Sequence, residues 1–206
     1  MTNNQTLLVV GCQRSGTMLA SKVFADYFDA DWLDEFDVLP LKRGAWGLEA
    51  LYRAGLTNLV VQCPCAIQYW ELFYTAVPNI KFVFIHRNKE DILNSMKRIE
   101  WLKDDHPNDW EEFLSKHIDN MYLYWEHLKE RIPEEFWNEM HYDDFKDHPL
   151  FIPKEERANF TVKQWNKDEP CDFKTWSKEK ECLTQELEKR NPGINLDKLG
   201  KRPIKK

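Results

Sequence analysis

Residues 7–18 read Leu-Leu-Val-Val-Gly-Cys-Gln-Arg-Ser-Gly-Thr-Met, and this stretch decides the fold. The four apolar residues before Gly11 predict a short strand that is buried on both faces. Apolar residues then recur at helical spacing from Met18 to Phe28, which predicts a helix. A strand, a glycine-bounded loop and a helix in this order are typical of an α/β protein.

The alternation of strands and helices continues along the chain. Further strands are predicted at 59–61, 81–85 and 137–142, and further helices at 67–76, 91–101 and 109–131. This order predicts a mostly parallel central sheet of four to five strands, with helices on both of its faces. We expect one domain over residues 1–206, with a ligand-binding core at about 7–149 and a C-terminal region of helix and loop at about 150–206.

The composition excludes several classes of protein. The chain has 206 residues and a formal net charge of −6, which argues against a general nucleic-acid binder. No apolar run reaches the length of a membrane span, and no signal peptide is recognisable. The five cysteines form no CxxC pair, so reduced and mostly buried thiols are expected. These features predict a soluble cytoplasmic protein without a nucleic-acid or membrane partner.

The loop after the first strand has the properties of a phosphate cradle. Gly11 and Gly16 permit backbone angles that aim successive N–H groups into one concavity, and the helix N-terminus adds partial positive charge. Arg14 can add a full charge and Thr17 a hydroxyl. The glycine spacing matches the start of the nucleotide-triphosphatase loop, so a three-layer P-loop nucleotide-hydrolase-like fold is expected. However, Thr17 replaces the lysine of that loop, and Met18 replaces its magnesium-binding hydroxyl.

Residues 11–17 resemble the 5′-phosphosulfate loop of sulfotransferases that use 3′-phosphoadenosine 5′-phosphosulfate (PAPS). Gln13 stands where that family usually has proline, and Met18 where it has a second threonine. The resemblance implies a PAPS-dependent sulfotransferase in which Arg14 also assists catalysis. The residues that it assigns to the 5′-phosphosulfate are Gln13, Arg14, Ser15, Gly16, Thr17 and Met18.

A second motif follows the predicted strand at 81–85. Arg87, Asp91 and Ser95 are in register with a pattern of the same family, and the resemblance implies that Arg87 and Ser95 bind the 3′-phosphate. Because open parallel sheets bind ligands at the carboxyl ends of their strands, this position of Arg87 is physically reasonable. Residues 141–145 are similar to a further segment of the family, and we expect them to brace the sheet near the nucleotide.

The candidate for the catalytic base is Glu35, which lies twenty-one residues after Arg14, as in the glutamate-using branch of the family. Asp34 is the next candidate, and its charge could raise the pKa of its neighbour. His86 is a competitor, but strand alternation predicts that it packs on the face opposite to Arg87. Gln62 replaces a lysine that many relatives carry, and Lys42 or Arg43 is a possible source of the missing charge.

The expected activity is transfer of a sulfuryl group from PAPS to a hydroxyl or amine of an unidentified small-molecule, carbohydrate or peptide acceptor, without a metal. Two alternatives remain: a P-loop kinase or nucleoside triphosphatase, and a non-catalytic module that binds PAPS or its product. A set of aromatic residues lines an acceptor cleft or belongs to the core: Trp46, Tyr52, Tyr69 and Trp70.

Overall fold

The computed structural model describes residues 5–38, 41–53, 55–151 and 153. The predicted C-terminal region from about 150 onward lies almost entirely outside the described residues. In chain order the elements are β1 (Thr6–Gly11), α1 (Thr17–Phe28), β2 (Asp31–Leu33), α2 (Glu35–Val38), α3 (Leu41–Arg53), β3 (Leu59–Gln62), a 3-10 helix (Pro64–Tyr69), α4 (Trp70–Ala76), β4 (Ile80–His86), α5 (Lys89–Arg98), α6 (Trp110–Arg131), a 3-10 helix (Glu134–Phe136), β5 (Trp137–His141) and a 3-10 helix (Tyr142–Phe145).

The five strands form one sheet in the order β2-β3-β1-β4-β5, and every neighbouring pair is parallel. β1 lies at the centre, where Leu8 pairs with Val61 of β3 and with Phe82 of β4. All five strands therefore end at one edge of the sheet, and the loop that follows β1 lies in the middle of that edge. The predicted central sheet is confirmed, and it is parallel throughout.

Alternate residues of the strands supply two separate hydrophobic layers. Leu8 and Val10 of β1 face one side, where α3, α4, α5 and α6 pack against the sheet. Leu7 and Val9 face the other side, which is covered by α1 and by the Tyr142–Phe145 turn. Helices therefore cover both faces of the sheet, as the nearly continuous apolar strands require, and the fold is the expected three-layer P-loop-like α/β architecture.

The start of α5 shows how local chemistry sets an element boundary. Asn88 caps the helix, because its side-chain oxygen accepts hydrogen bonds from the N–H groups of Glu90 at 2.9 Å and Asp91 at 3.3 Å. The helix consequently begins at Lys89, two residues earlier than the sequence pattern predicted. This cap fixes the turn of α5 that carries the second candidate motif.

Several elements differ from the sequence prediction. β2, α2 and α3 were not predicted, and residues 137–141 form the fifth strand rather than the fourth. The helix predicted at 67–76 is a 3-10 helix as far as Tyr69 and only then becomes α4. No helix within the described ranges has both the length and the apolarity to cross a lipid bilayer.

Candidate functional site

The loop between β1 and α1 has a backbone conformation that few residues tolerate. Gly16 is the N-cap of α1, with φ 104° and ψ 15°. A Cβ at this position would overlap the ring of Tyr142, so glycine is required both by its backbone angle and by the close approach of that ring. Arg14 also has a positive φ, 71°. The chain is therefore forced into a tight turn directly before α1 begins at Thr17.

This turn combines several groups that can hold an anion. The first N–H groups of α1 have no acceptor within the helix and carry partial positive charge. Ser15 is fully buried, and its Oγ has no hydrogen-bond partner among the described residues. An unpaired buried hydroxyl is costly, so the Ser15 Oγ is a donor within the loop that is not yet used. The thioether side chain of Met18 has no hydrogen-bond donor, so only its backbone N–H can belong to this set.

The two predicted phosphate-binding motifs meet at the carboxyl edge of the sheet. Arg87, one residue beyond β4, donates a hydrogen bond from Nη1 to the backbone carbonyl of Arg14 at 2.9 Å. Arg14 in turn donates from Nε to the Oγ of Ser95 in α5 at 3.3 Å. These two hydrogen bonds connect Arg14, Arg87 and Ser95, although up to 81 positions separate them in the chain. Their polar side chains therefore lie together at one site.

Aromatic residues on both sides hold Arg87 in place. Its guanidinium lies over the ring of Tyr142, with Cζ 4.3 Å from the ring centroid. The hydroxyl of Tyr122 in α6 accepts from the Arg87 N–H at 3.3 Å and donates to its carbonyl at 3.0 Å. Tyr142 also lies against Gly16. The segment at 141–145 thus braces the loop and Arg87 together, in agreement with its predicted structural role.

Glu35 lies near the same edge, and it is the first residue of α2 rather than part of a loop. β2 pairs with β3 through Leu33 and Val61, so Glu35 follows β2 beside the residues that come after β3. Partial burial raises the pKa of the Glu35 carboxyl above its usual range, and the neighbouring charge of Asp34 raises it further. A carboxyl with a raised pKa that is still accessible has the properties of a general base.

Gln62 occupies the end of β3 and is 4% exposed. Its Nε2 donates to the hydroxyl of Thr17 at 3.3 Å, and its Oε1 has no hydrogen-bond partner among the described residues. Gln62 therefore brings no positive charge to the position of the family's lysine, and Thr17 accepts from one of its two amide N–H groups. The side chains of Lys42 and Arg43, the other proposed sources of charge, lie outside the described part of the structure.

His86 packs away from the loop, as strand alternation predicted. Its Nε2 lies 3.3 Å from Oε1 of Glu139, and its ring contacts Phe84 and Tyr122 in the opposite layer. Burial is the main cause that lowers the pKa of His86. His86 is therefore a packed histidine, which weakens it as a candidate base.

The contact of the loop with α6 was not found in the sequence. His117 lies 2.7 Å from the Oε1 of Gln13 through its Nε2, across 104 positions of the chain. Burial lowers the pKa of His117, which favours the neutral ring, and Nε2 must carry the proton to donate to the amide oxygen. Gln13 stands where the family that the loop resembles has proline. Its hydrogen bond to His117 attaches the loop to α6.

The four aromatic residues considered for an acceptor cleft do not cluster at this edge. Trp70 is 6% exposed and belongs to the core. The hydroxyl of Tyr52 accepts from Asn79, which precedes β4 at the opposite edge of the sheet. Tyr69 is 54% exposed and closes the 3-10 helix that follows β3, so it lies on the side of the sheet where the strands end.

No protein-family model matches this chain, and no curated protein is significantly similar to it in sequence.

Proposed function

We propose that this protein is a sulfotransferase that uses PAPS as its donor. The observation that carries the proposal is the contact between the two arginine motifs: Arg87 donates to the carbonyl of Arg14 at 2.9 Å at the carboxyl edge of a parallel sheet. PAPS carries one anionic group at each end of its ribose. A donor set with two guanidinium groups, one in a P-loop-like turn and one after a neighbouring strand, fits such a ligand.

The orphaned polar atoms of the site also fit this ligand. The Oγ of Ser15 is buried without a partner among the described residues, and α1 begins at Thr17 directly after the loop, so the helix N-terminus adds unpaired N–H groups beside it. In the proposed complex the loop residues and Arg14 hold the 5′-phosphosulfate, while Arg87 and Ser95 hold the 3′-phosphate. Tyr142 keeps the Arg87 guanidinium in a fixed plane, which reduces the entropy lost on binding.

Transfer then requires a base and a stabilised leaving group. PAPS supplies the sulfuryl group: a bond forms between the acceptor oxygen or nitrogen and sulfur, while the bond from sulfur to the bridging phosphate oxygen breaks. The electron pair of that bond leaves with the 5′-phosphate, where Arg14 and the loop N–H groups balance the added charge. Glu35 accepts the proton of the acceptor, a role for which its raised pKa is suited.

One observation favours a second candidate, a module that binds the nucleotide without turning it over. Gln62 stands where the family that the loop resembles has a lysine, so this position provides no positive charge, and one of its two amide N–H groups is already donated to Thr17. A kinase or triphosphatase is less well supported, because Thr17 and Met18 replace the lysine and hydroxyl that those reactions use.

The first experiment is a calorimetric titration with 3′-phosphoadenosine 5′-phosphate (PAP) in parallel with ATP and magnesium. The proposal predicts binding of PAP in preference to ATP. A preference for ATP with magnesium would support a kinase or triphosphatase instead. If no binding heat is detected with PAP at millimolar concentration, the sulfotransferase hypothesis is wrong.

The second experiment separates catalysis from binding. Transfer of labelled sulfate from PAPS is measured with phenol, amine and carbohydrate acceptors. Glu35→Gln should lower turnover at least ~100-fold and leave PAP affinity unchanged. The control is Glu71→Gln, which removes an exposed carboxylate from α4 and should change neither quantity. PAP binding without transfer to any acceptor would favour the non-catalytic module.

A further inference from the structure

Two thiols lie side by side where β3 ends. Cys63 follows the last residue of β3, and Cys65 lies two positions further, beyond Pro64 at the start of the 3-10 helix. Their Sγ atoms are 3.7 Å apart, within hydrogen-bonding distance for sulfur. Cys63 is fully buried, whereas Cys65 is partly exposed. Cys65 is therefore the more solvent-exposed residue of the pair.

The backbone around the pair is held by regular hydrogen bonds. The N–H of Cys63 donates to the carbonyl of Val9 in β1 at 3.1 Å, and the carbonyl of Cys63 accepts from Ala66 at 3.1 Å. The short distance between the sulfur atoms is thus imposed by the sheet and by the first turn of the 3-10 helix.

The two thiols have different acidities. The hydrogen bond from Cys63 lowers the pKa of Cys65, in spite of opposing effects from burial and from Glu35. The same hydrogen bond and burial raise the pKa of Cys63. Because the thiolate is the reactive form and Cys65 is also the more exposed residue, we assign Cys65 as the attacking thiol and Cys63 as the thiol that follows.

We propose that Cys63 and Cys65 form a redox-active dithiol that exchanges with small disulfides of the glutathione class. The thiolate of Cys65 attacks one sulfur of the small disulfide, which forms a mixed disulfide and releases one small thiolate. Cys63 then loses its proton to solvent or to that thiolate, and its sulfur attacks the Sγ of Cys65. The second small thiol leaves, so two protein thiols are oxidised and one small disulfide is reduced to two thiols.

The spacing of the pair makes this reaction reversible. A disulfide across a single intervening residue closes a short ring, and strained disulfides are more easily reduced. The inference does not depend on sulfotransferase activity, because it concerns only the thiols. The pair nevertheless adjoins the candidate site, since Gln62 precedes it and the charge of Glu35 affects both thiols.

The test is peptide mapping of the native full-length protein after incubation with oxidised glutathione. The tryptic peptide that contains both Cys63 and Cys65 should become two hydrogen masses lighter and resist alkylation until dithiothreitol is added. Cys12 is the internal control: it is also fully buried, but burial raises its pKa to about 12, and no other cysteine of the described residues contacts it. It should remain a free thiol under the same conditions.

Two variants test the assigned order of attack. Cys63→Ala should accumulate the mixed disulfide with glutathione on residue 65, and Cys65→Ala should leave Cys63 unmodified. If either variant does not fold, the wild-type mapping still decides the proposal. The proposal is overturned if both thiols stay free in the native protein while they react in urea, or if either pairs instead with Cys171 or Cys182.

Discussion

Two glycines of α3 should respond to alanine substitution with opposite signs. Gly44 and Gly47 lie three residues apart in the same helix. A Cβ on Gly47 would meet no atom within 4 Å, so Gly47→Ala should gain the usual helix preference of about 0.5–1 kcal/mol. A Cβ on Gly44 would overlap the backbone carbonyl of Val38 in α2, which cannot move aside by a rotamer change.

The magnitude for Gly44→Ala follows from the same two contributions. Overpacking against backbone costs about 3 kcal/mol, at the upper end of the usual range. The helix preference offsets about 1 kcal/mol of this, so the net loss is about 2 kcal/mol. For a chain of this length, 1 kcal/mol shifts Tm by about 2–4 °C. Gly44→Ala should therefore melt about 4–8 °C lower than the wild type, and Gly47→Ala about 1–4 °C higher.

The assay is thermal unfolding by calorimetry, with urea unfolding followed by tryptophan fluorescence as a second measure. Both substitutions shifting Tm in the same direction would refute the packing of α3 against α2. If the proposed function holds, Gly44→Ala should also lower sulfuryl transfer at a temperature where the variant is folded, because α2 begins at Glu35. PAP affinity should change little, since the nucleotide-binding residues lie on other elements.

Three further outcomes follow from the site. Arg87→Lys removes the planar group that lies over Tyr142, and PAP affinity by calorimetry should fall about tenfold; unchanged affinity would contradict the role of the stack. A general base acts only when it is deprotonated, so the raised pKa of Glu35 predicts that turnover is lost as pH falls through a value above the ordinary 4.5. Glu35 is excluded as the base if the acid limb of the pH–rate profile lies at or below 4.5, or if Glu35→Gln leaves the profile unaltered. His117→Ala should weaken PAP binding about tenfold and speed hydrogen exchange in the loop, because the contact with Gln13 is lost. Adding Gln13→Pro to this variant should restore PAP affinity and slow exchange, because proline stiffens the loop without the contact. If the double variant is not rescued, the contact does not serve to stiffen the loop.

The elements that the sequence predicted are those with uninterrupted patterns. β1 and β4 are continuous apolar strands in the middle of the sheet, and both are followed by helices with a clear apolar side. β2 has only three residues and lies at the sheet edge, so it is too short for a periodic pattern to be recognised in the sequence. α3 contains two glycines, which lower its helix propensity, and the helix depends on packing against α2 and α4.

The site was predictable to the extent that parallel topology determines it. Arg14 and Arg87 both follow strands of one parallel sheet, so their proximity follows from the rule that such strands end at a common edge. The contact between His117 and Gln13 had no comparable signal, because it depends on how α6 lies across the sheet. His117 occurs in an amphipathic helix, where its sequence position does not distinguish a packed polar residue from a solvated one.

The conformation of Arg14 links the two halves of the site energetically. A positive φ costs a non-glycine residue about 1–2 kcal/mol, and Arg14 has φ 71°. Such a conformation persists only where the surroundings favour it. Here Arg87 binds the carbonyl of Arg14, and Ser95 accepts from its side chain. The residues proposed for the 3′-phosphate therefore also stabilise the turn proposed for the 5′-phosphosulfate, so that the two anion sites are one coupled unit even before a ligand binds.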